Sequence, residues 1–334
     1  MVWYQKRGDY IMEIFKLKEP FGFMRHAKRF GLLSLVLVLG SWFLIFTKGF
    51  NYGIDFAGGT LIQVKYEQKA PIDEIRRVLD ATKTFQGAQV TNFGGDDEVV
   101  IKIKKVSSDV TNDTSDEIKN VLHTTGKFDI RRVDMVGAKV GNELREKGMM
   151  ALVLAVIGIL IYVSYQYEWR FAVASVLALV HDVSIALGAI VLLSIEVNLD
   201  ILAAILTLLG YSINDTIIVF DRIRDSIRRT KQTNLFVLID ESITMTLSRT
   251  TLTSLTVFIV VLFLYLFGGE IINGFSLTLL IGVIVGTYSS IFIASPLSQW
   301  LGFSIEKFRA KEAEKLKREK EKERMRAMYE QGTL

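Results

Sequence analysis

The chain has 334 residues, 50% of them hydrophobic, and its 40 Lys and Arg against 36 Asp and Glu leave a formal charge of +4. It has no Cys, which excludes disulfides, thiolate metal sites, iron–sulfur clusters and cysteine nucleophiles together. The three His (His26, His123, His181) stand far apart, against a local metal motif, and so small a net charge does not point to nucleic acid. The apolar residues are massed in long uncharged blocks instead of being spread at helix or strand periods, so the chain reads as a polytopic membrane protein.

Residues 1–29 form a basic leading segment carrying Lys6, Arg7, Lys16, Lys18, Arg25, Lys28 and Arg29. Residues 30–47 are uncharged over about one bilayer core at ~1.5 Å per residue, and predict the first transmembrane helix. The run is too long for a signal-peptide core, and Lys48-Gly49-Phe50 follows in place of a small-x-small cleavage site, so an uncleaved anchor is expected.

Residues 48–147 are enough for one small domain. Residues 60–66 alternate as a half-buried strand, and Pro71 opens a helix that puts Ile72, Ile75, Val78 and Leu79 on one face. Residues 88–93 predict a strand, residues 94–97 a turn, and residues 99–104 another strand. Ser115 or Asp116 can cap a helix with Ile118, Val121 and Leu122 on one side, and residues 128–136 read as a last strand. The order βαββαβ predicts a ferredoxin-like split sandwich, a fold that by itself assigns no activity. The Gly-rich residues 53–60 lack the Walker and dinucleotide spacings and read as a turn between the first span and the first strand. His123 has no Ser or Asp partner nearby in sequence and reads as a helix-surface residue.

Residues 148–300 hold five further apolar blocks, at 148–167, 171–194, 201–220, 250–269 and 275–295, for six transmembrane helices in all. The loop after the fourth helix carries Arg222, Arg224, Arg228, Arg229 and Lys231, and the tail 301–334 is rich in Lys and Arg. The loops 195–200 and 270–274 have none. Every second loop is basic, so both termini are expected in the cytoplasm and residues 48–147 outside it. The tail, with charge pairs such as Glu314–Arg318 and no sustained apolar seam, predicts a solvated helix or one weakly attracted to anionic lipid.

Two carboxylates interrupt the apolar blocks. Asp182 is near the middle of the third helix, and Asp215 lies about 7–8 Å inside the cytoplasmic end of the fourth. An intramembrane carboxylate costs about 2.5–3.5 kcal/mol, so it faces a cavity or a partner, and Asp215 is a candidate for taking up and releasing protons. If the fifth helix reaches back to Met245, Arg249 sits at a similar depth, on a stripe with Thr246, Thr253 and Thr256. Thr207, Tyr211, Asn214 and Asp215 are expected to share a face of the fourth helix, and two such stripes could hold water. On the residues alone, Arg249 reads rather as a positive flank of its helix, with the hydroxyls bonded back to helical carbonyls. No nucleophile–base pair, metal motif or nucleotide loop is present, so neither an enzyme nor a cofactor is expected.

Several motifs together resemble a known family. They are Gly53-Ile-Asp-Phe-x-Gly-Gly-Thr60, Val136-Gly-x-x-Val-Gly-x-Glu-Leu144, His181-Asp182, Gly210-Tyr-Ser-Ile-Asn-Asp-Thr216 with Asp221-Arg222, and Ser248-Arg249-Thr250. Across about residues 20–300 the chain resembles the SecF members of the SecD/SecF protein-export family, within the resistance-nodulation-division superfamily, and Asn214-Asp215-Thr216 is a highly specific part of the match. The resemblance implies an accessory subunit of the Sec translocase in the bacterial cytoplasmic (inner) membrane that uses proton-motive force, with SecD, to promote protein translocation. It makes Asp215 and Arg249 the proton-relay pair, against the flank reading of Arg249. Supporting intramembrane roles fall to His181, Asp182, Asn214, Thr216 and Thr253. Implied partners are SecD as a heterodimer, the SecYEG channel, YajC and YidC, the translocating polypeptide and membrane lipid. Two other classes stay open: a half-transporter of the same superfamily exporting small molecules or lipids, and a non-energised scaffold.

Overall fold

A computed structural model describes residues 21–104 and 113–330. Lys6, Arg7, Lys16 and Lys18 of the basic leading segment lie outside the described residues. Helix α1 is Phe23–Lys48, followed by a two-residue strand β1 (Asn51–Tyr52) and a single helical turn α2 (Ile54–Ala57). Strand β2 (Gly59–Tyr66), helix α3 (Ile72–Ala81), strands β3 (Gln89–Phe93) and β4 (Gly95–Ile103), helix α4 (Asp113–Leu122) and strand β5 (Phe128–Val136) complete a small α/β domain. Helix α5 (Ala138–Gln166), helix α6 (Trp169–Leu192), strand β6 (Glu196–Val197), helix α7 (Leu199–Arg229) and helix α8 (Leu235–Phe267) follow. The last span is α9 (Glu270–Ser289), a π-helical turn over Ser290–Ala294, and α10 (Ser295–Trp300), after which comes α11 (Ile305–Glu330).

The sheet order is β3-β4-β2-β5, every neighbour antiparallel, which is the ferredoxin-like arrangement. Alternation along β2 and β4 sends Ile62, Val64, Val99 and Ile101 under α3 and α4, where they bury Ile75, Leu79, Ile118 and Leu122. Helix α4 begins at Asp113, so Ser115 and Asp116 fall inside its first turn instead of ahead of it. His123 is exposed, in the 3-10 turn that ends α4.

Among the described residues, six helices are long and apolar enough to cross a membrane. Helices α6, α7 and α9 form the centre of the bundle, while α1, α5 and α8 leave most of their apolar surface on its outside. Several helices run beyond their apolar blocks: α5 starts at Ala138, inside the stretch that reads as the external domain, and α8 starts at Leu235. Hydropathy detects only the slab of a helix that meets hydrocarbon, whereas its hydrogen-bonded ladder continues through the polar ends.

The Gly-rich segment 53–60 is more than a linking turn. Strand β1 pairs in parallel with β6, and the Gly53 amide donates to the Val197 carbonyl at 2.8 Å, so the start of the sheet domain is stitched to the loop between α6 and α7. Asp55 Oδ2 accepts the Leu199 amide at 3.1 Å, satisfying one of the free N–H groups that begin α7. Glu196 receives Lys102 Nζ at 3.1 Å and Lys104 Nζ at 3.3 Å from β4 and the residue after it. The sheet domain therefore stands directly on the end of the helix that carries Asp215.

Candidate functional site

Helix α7 buries Leu208, Ser212, Asp215, Thr216 and Val219 along one side. It lies close to α9 because α9 offers glycine there: a Cβ on Gly282 would come 2.6 Å from Leu208 Cδ1, and one on Gly286 would come 3.2 Å from Ser212 Cβ. That close approach leaves no room for water between the two helices at Ser212, and the polar groups of neighbouring helices meet directly.

Two hydrogen-bonded clusters result. In the first, fully buried Asp182 of α6 ties three helices together. Its Oδ1 lies 2.8 Å from His181 Nδ1, and its Oδ2 accepts the hydroxyls of Ser212 on α7 and, at 2.7 Å, Ser289 on α9. His181 Nε2 is buried and, among the described residues, without a hydrogen-bond partner.

The second cluster centres on Asp215, which is 0% exposed. Ser254 of α8 donates to its Oδ2 at 3.3 Å, and Thr287 of α9 lies 2.7 Å from Ser254 Oγ, so a short chain of hydroxyls leads to the carboxyl. Among the described residues, Asp215 Oδ1 has no hydrogen-bond partner, nor does the buried hydroxyl of Thr250. An unmatched buried polar atom costs about 1–3 kcal/mol, so an unmatched oxygen on the buried carboxyl itself is an arrangement that stability alone does not explain.

The expected pairing of Asp215 with Arg249 is not present in this conformation. Arg249 is exposed, and no ion pair joins it to Asp215 among the described residues. The stripe expected on α8 is also displaced. Thr246 is buried, but Arg249 and Thr256 are exposed, and the hydroxyls of Thr246, Thr253 and Thr256 bond back to helical carbonyls at 2.8–3.1 Å. The side of α8 turned to the bundle is instead Ser242, Thr246, Thr250 and Ser254, four apart in sequence. On α7, Thr207 and Asn214 do not share the face of Asp215. They lie on the exposed side with Ala203 and Gly210, while Tyr211 is half-buried between the two.

Ser254, Ser212, Ser289 and Thr287 are candidate-site residues that residue order did not single out. The repeat Ser242-Thr246-Thr250-Ser254 was a visible signal, because hydroxyls recurring every four residues run along one side of a helix.

Known proteins share this organisation. The family model described as Protein export membrane protein SecD/SecF, C-terminal, matches residues 117–304, and the SecD/SecF GG Motif model matches residues 43–70. The Protein translocase subunit SecF of Helicobacter pylori (strain ATCC 700392 / 26695) is 50% identical over 97% of this chain and 100% of its own. That of Vibrio alginolyticus is 44% identical over 91% and 97%, respectively. Among solved structures, SecDF of Thermus thermophilus superposes with a TM-score of 0.74 at 35% identity, covering 85% of this chain. This chain spans 39% of that longer one.

Proposed function

The chain belongs to the SecD/SecF family of protein-export membrane proteins, and from that membership and the geometry above we propose that it is a SecF-type Sec translocation accessory subunit driven by protons through Asp215. SecD is its partner, in keeping with solved SecDF structures that match this chain over two-fifths of their length. The observation that carries the proton reading is the Asp215 carboxyl, fully buried, bonded on one oxygen to a hydroxyl chain and unmatched on the other.

The outward face of α7 and α8 supports the heterodimer. Thr207, Gly210, Asn214, Arg249 and Thr256 are all exposed within spans that would otherwise meet hydrocarbon. An arginine there costs about 2.5–3.5 kcal/mol unless another protein surface covers it, and small residues such as Ala203 and Gly210 allow a facing helix to come close. In this reading Arg249 is the cation that a rotation of α8 against α7 brings toward Asp215 when the proton has left. Thr253, Asn214 and Thr216 line that movement. His181 and Asp182 keep α6 fastened to α7 and α9, so that these three helices move as one body against α8.

The sheet domain turns this into work outside the membrane. Asp55 and Glu196 hold it to the start of α7, so a shift of α7 during the proton cycle tilts the domain. The distribution of Lys and Arg supports both termini in the cytoplasm and the domain on the opposite side of the bacterial cytoplasmic membrane. There it acts on a polypeptide emerging from SecYEG, with YajC and YidC as further partners. No enzymatic step belongs to this reading.

Secretion of a reporter protein by cells carrying Asp215→Asn tests it, with membrane level and SecD association measured alongside. Asn is nearly isosteric and removes only the titratable group. Normal assembly with lost proton-gradient-dependent secretion is expected. Unchanged secretion would leave Asp215 a structural residue and put the scaffold reading ahead.

A further inference from the structure

At the end of the bundle opposite the sheet domain, the turn between α5 and α6, the end of α7 and the first turns of α11 border an open cavity of about 200 Å³. Helix α11 is firmly seated beside it. Arg309 donates to the carbonyls of Ile227 at 3.2 Å, Thr230 at 2.6 Å and Gln232 at 3.0 Å, satisfying carbonyls left free where α7 ends. Arg228 adds a bond to Glu312 at 2.6 Å.

This seating sets Lys311 and Lys315 one turn apart on the cavity wall, with Arg224 and Arg228 across from them. Like charges at that spacing destabilise a helix slightly, so the pair is better explained by an anion than by helix stability. The two acidic groups in the wall are already engaged, Glu168 by Arg170 and Glu312 by Arg228. Lys315 has only a 3.9 Å contact with exposed Glu319, and Lys311 has no carboxylate partner among the described residues. Arg224 stacks over Tyr167 at 4.8 Å and lies 3.7 Å from Asp221, yet its Nε is buried without a hydrogen-bond partner. Tyr165 is 91% exposed and Trp169 55%, and aromatic residues in that position mark the headgroup level of a bilayer.

We propose that this cavity binds the phosphate headgroup of an anionic phospholipid, with Arg224, Lys311 and Lys315 on the phosphate and Tyr165 against the glycerol and upper chain. Cationic side chains gathered between helix ends at headgroup depth suit a phosphodiester, and its chains pass into the bilayer beside α5. A lipid held here braces α11 against α7, the helix of Asp215. The leaflet that supplies the lipid rests on the cytoplasmic placement argued under the proposed function, whereas the existence of the site does not.

The test titrates phosphatidylglycerol into the purified full-length chain in detergent and counts bound lipid by native mass spectrometry. Lys311→Gln with Lys315→Gln is expected to weaken binding about 25-fold, roughly 5-fold per lysine. Lys320→Gln with Lys322→Gln removes the same charge from the exposed part of α11 and is expected to leave binding unchanged. Equal loss in both pairs would mean diffuse attraction and overturn the site. Displacement of the lipid by millimolar inorganic phosphate would overturn the lipid in favour of a soluble phosphate ligand. Because the chain has no Cys, Ser304→Cys can be labelled from one side of sealed vesicles, so a wrong orientation is detected separately from a failed site.

Discussion

Gly59 is the residue whose replacement the structure prices most directly. It sits at φ +157°, and a Cβ built there would lie 2.3 Å from the Ile103 carbonyl oxygen and 2.8 Å from Ile54 Cγ2. The Ile103 carbonyl is backbone at the end of β4, in register with Thr60, so it cannot move without breaking the central pair of the sheet. A side chain at that φ costs about 1–2 kcal/mol, and forcing a methyl into packed backbone about 1–3 more, giving roughly 2–5 kcal/mol for Gly59→Ala. In a domain of this size each kcal/mol moves the melting point by about 4–8 °C, so a fall of at least about 8 °C is expected. The assay is pulse trypsin cleavage of the full-length chain in detergent along a temperature ramp, reading cuts within the sheet domain. Gly158→Ala is the control: it lies on the outside of α5 with nothing within 4 Å of the added carbon. If both variants melt at the same temperature, the contact argument is refuted, and with it the requirement for glycine at position 59.

Ser254→Ala removes the hydroxyl that, among the described residues, donates to Asp215; because a net hydrogen bond is worth about 1 kcal/mol, secretion is expected to fall about 5-fold with its pH profile displaced, while Ser276→Ala on α9, away from both clusters, leaves the profile in place. Glu196→Gln leaves Lys102 and Lys104 without their carboxylate; the pair is partly exposed, so a loss of about 1 kcal/mol in docking is expected, read as faster amide exchange at residues 51–55 and 196–199 with the sheet core unchanged. Burial pushes the Tyr66 phenol above its usual 10.0, so the folded domain binds that proton more tightly than the unfolded chain, and its stabilising effect is full below pH 10.0 and fades as pH rises further. Tyr66→Phe is expected to cost about 1 kcal/mol at neutral pH through the lost 2.8 Å bond to Thr125 and to flatten the alkaline decline in melting point; an unchanged decline would count against Tyr66 as its source.

Much of the architecture was legible in residue order. Uncharged runs locate the helices because hydrocarbon admits few charges, and the period-two and helical patterns of residues 60–136 suffice for a βαββαβ order whose observed strand arrangement is ferredoxin-like. Asp182 and Asp215 stood out because a carboxylate in an apolar block needs a reason, and both are indeed fully buried. What residue order could not settle was orientation. A stripe drawn through Arg249 and one drawn through Ser254 differ by less than a quarter-turn of α8, and only packing against α7 and α9 decides which faces inward. The partners of the two carboxylates, Ser212, Ser254, Thr287 and Ser289, come from helices far apart in sequence, brought together by glycines on α9 whose value lies in what packs against them. Segment 53–60 shows the same division. Its glycines announce an unusual backbone, but that they seat the sheet domain on the first turn of α7 depends on long-range contacts that no local pattern encodes. Composition and period determine which residues enter the membrane or a core, because transfer from water acts on each residue separately; which of them meet is decided by tertiary packing, because that depends on shapes supplied by other parts of the chain.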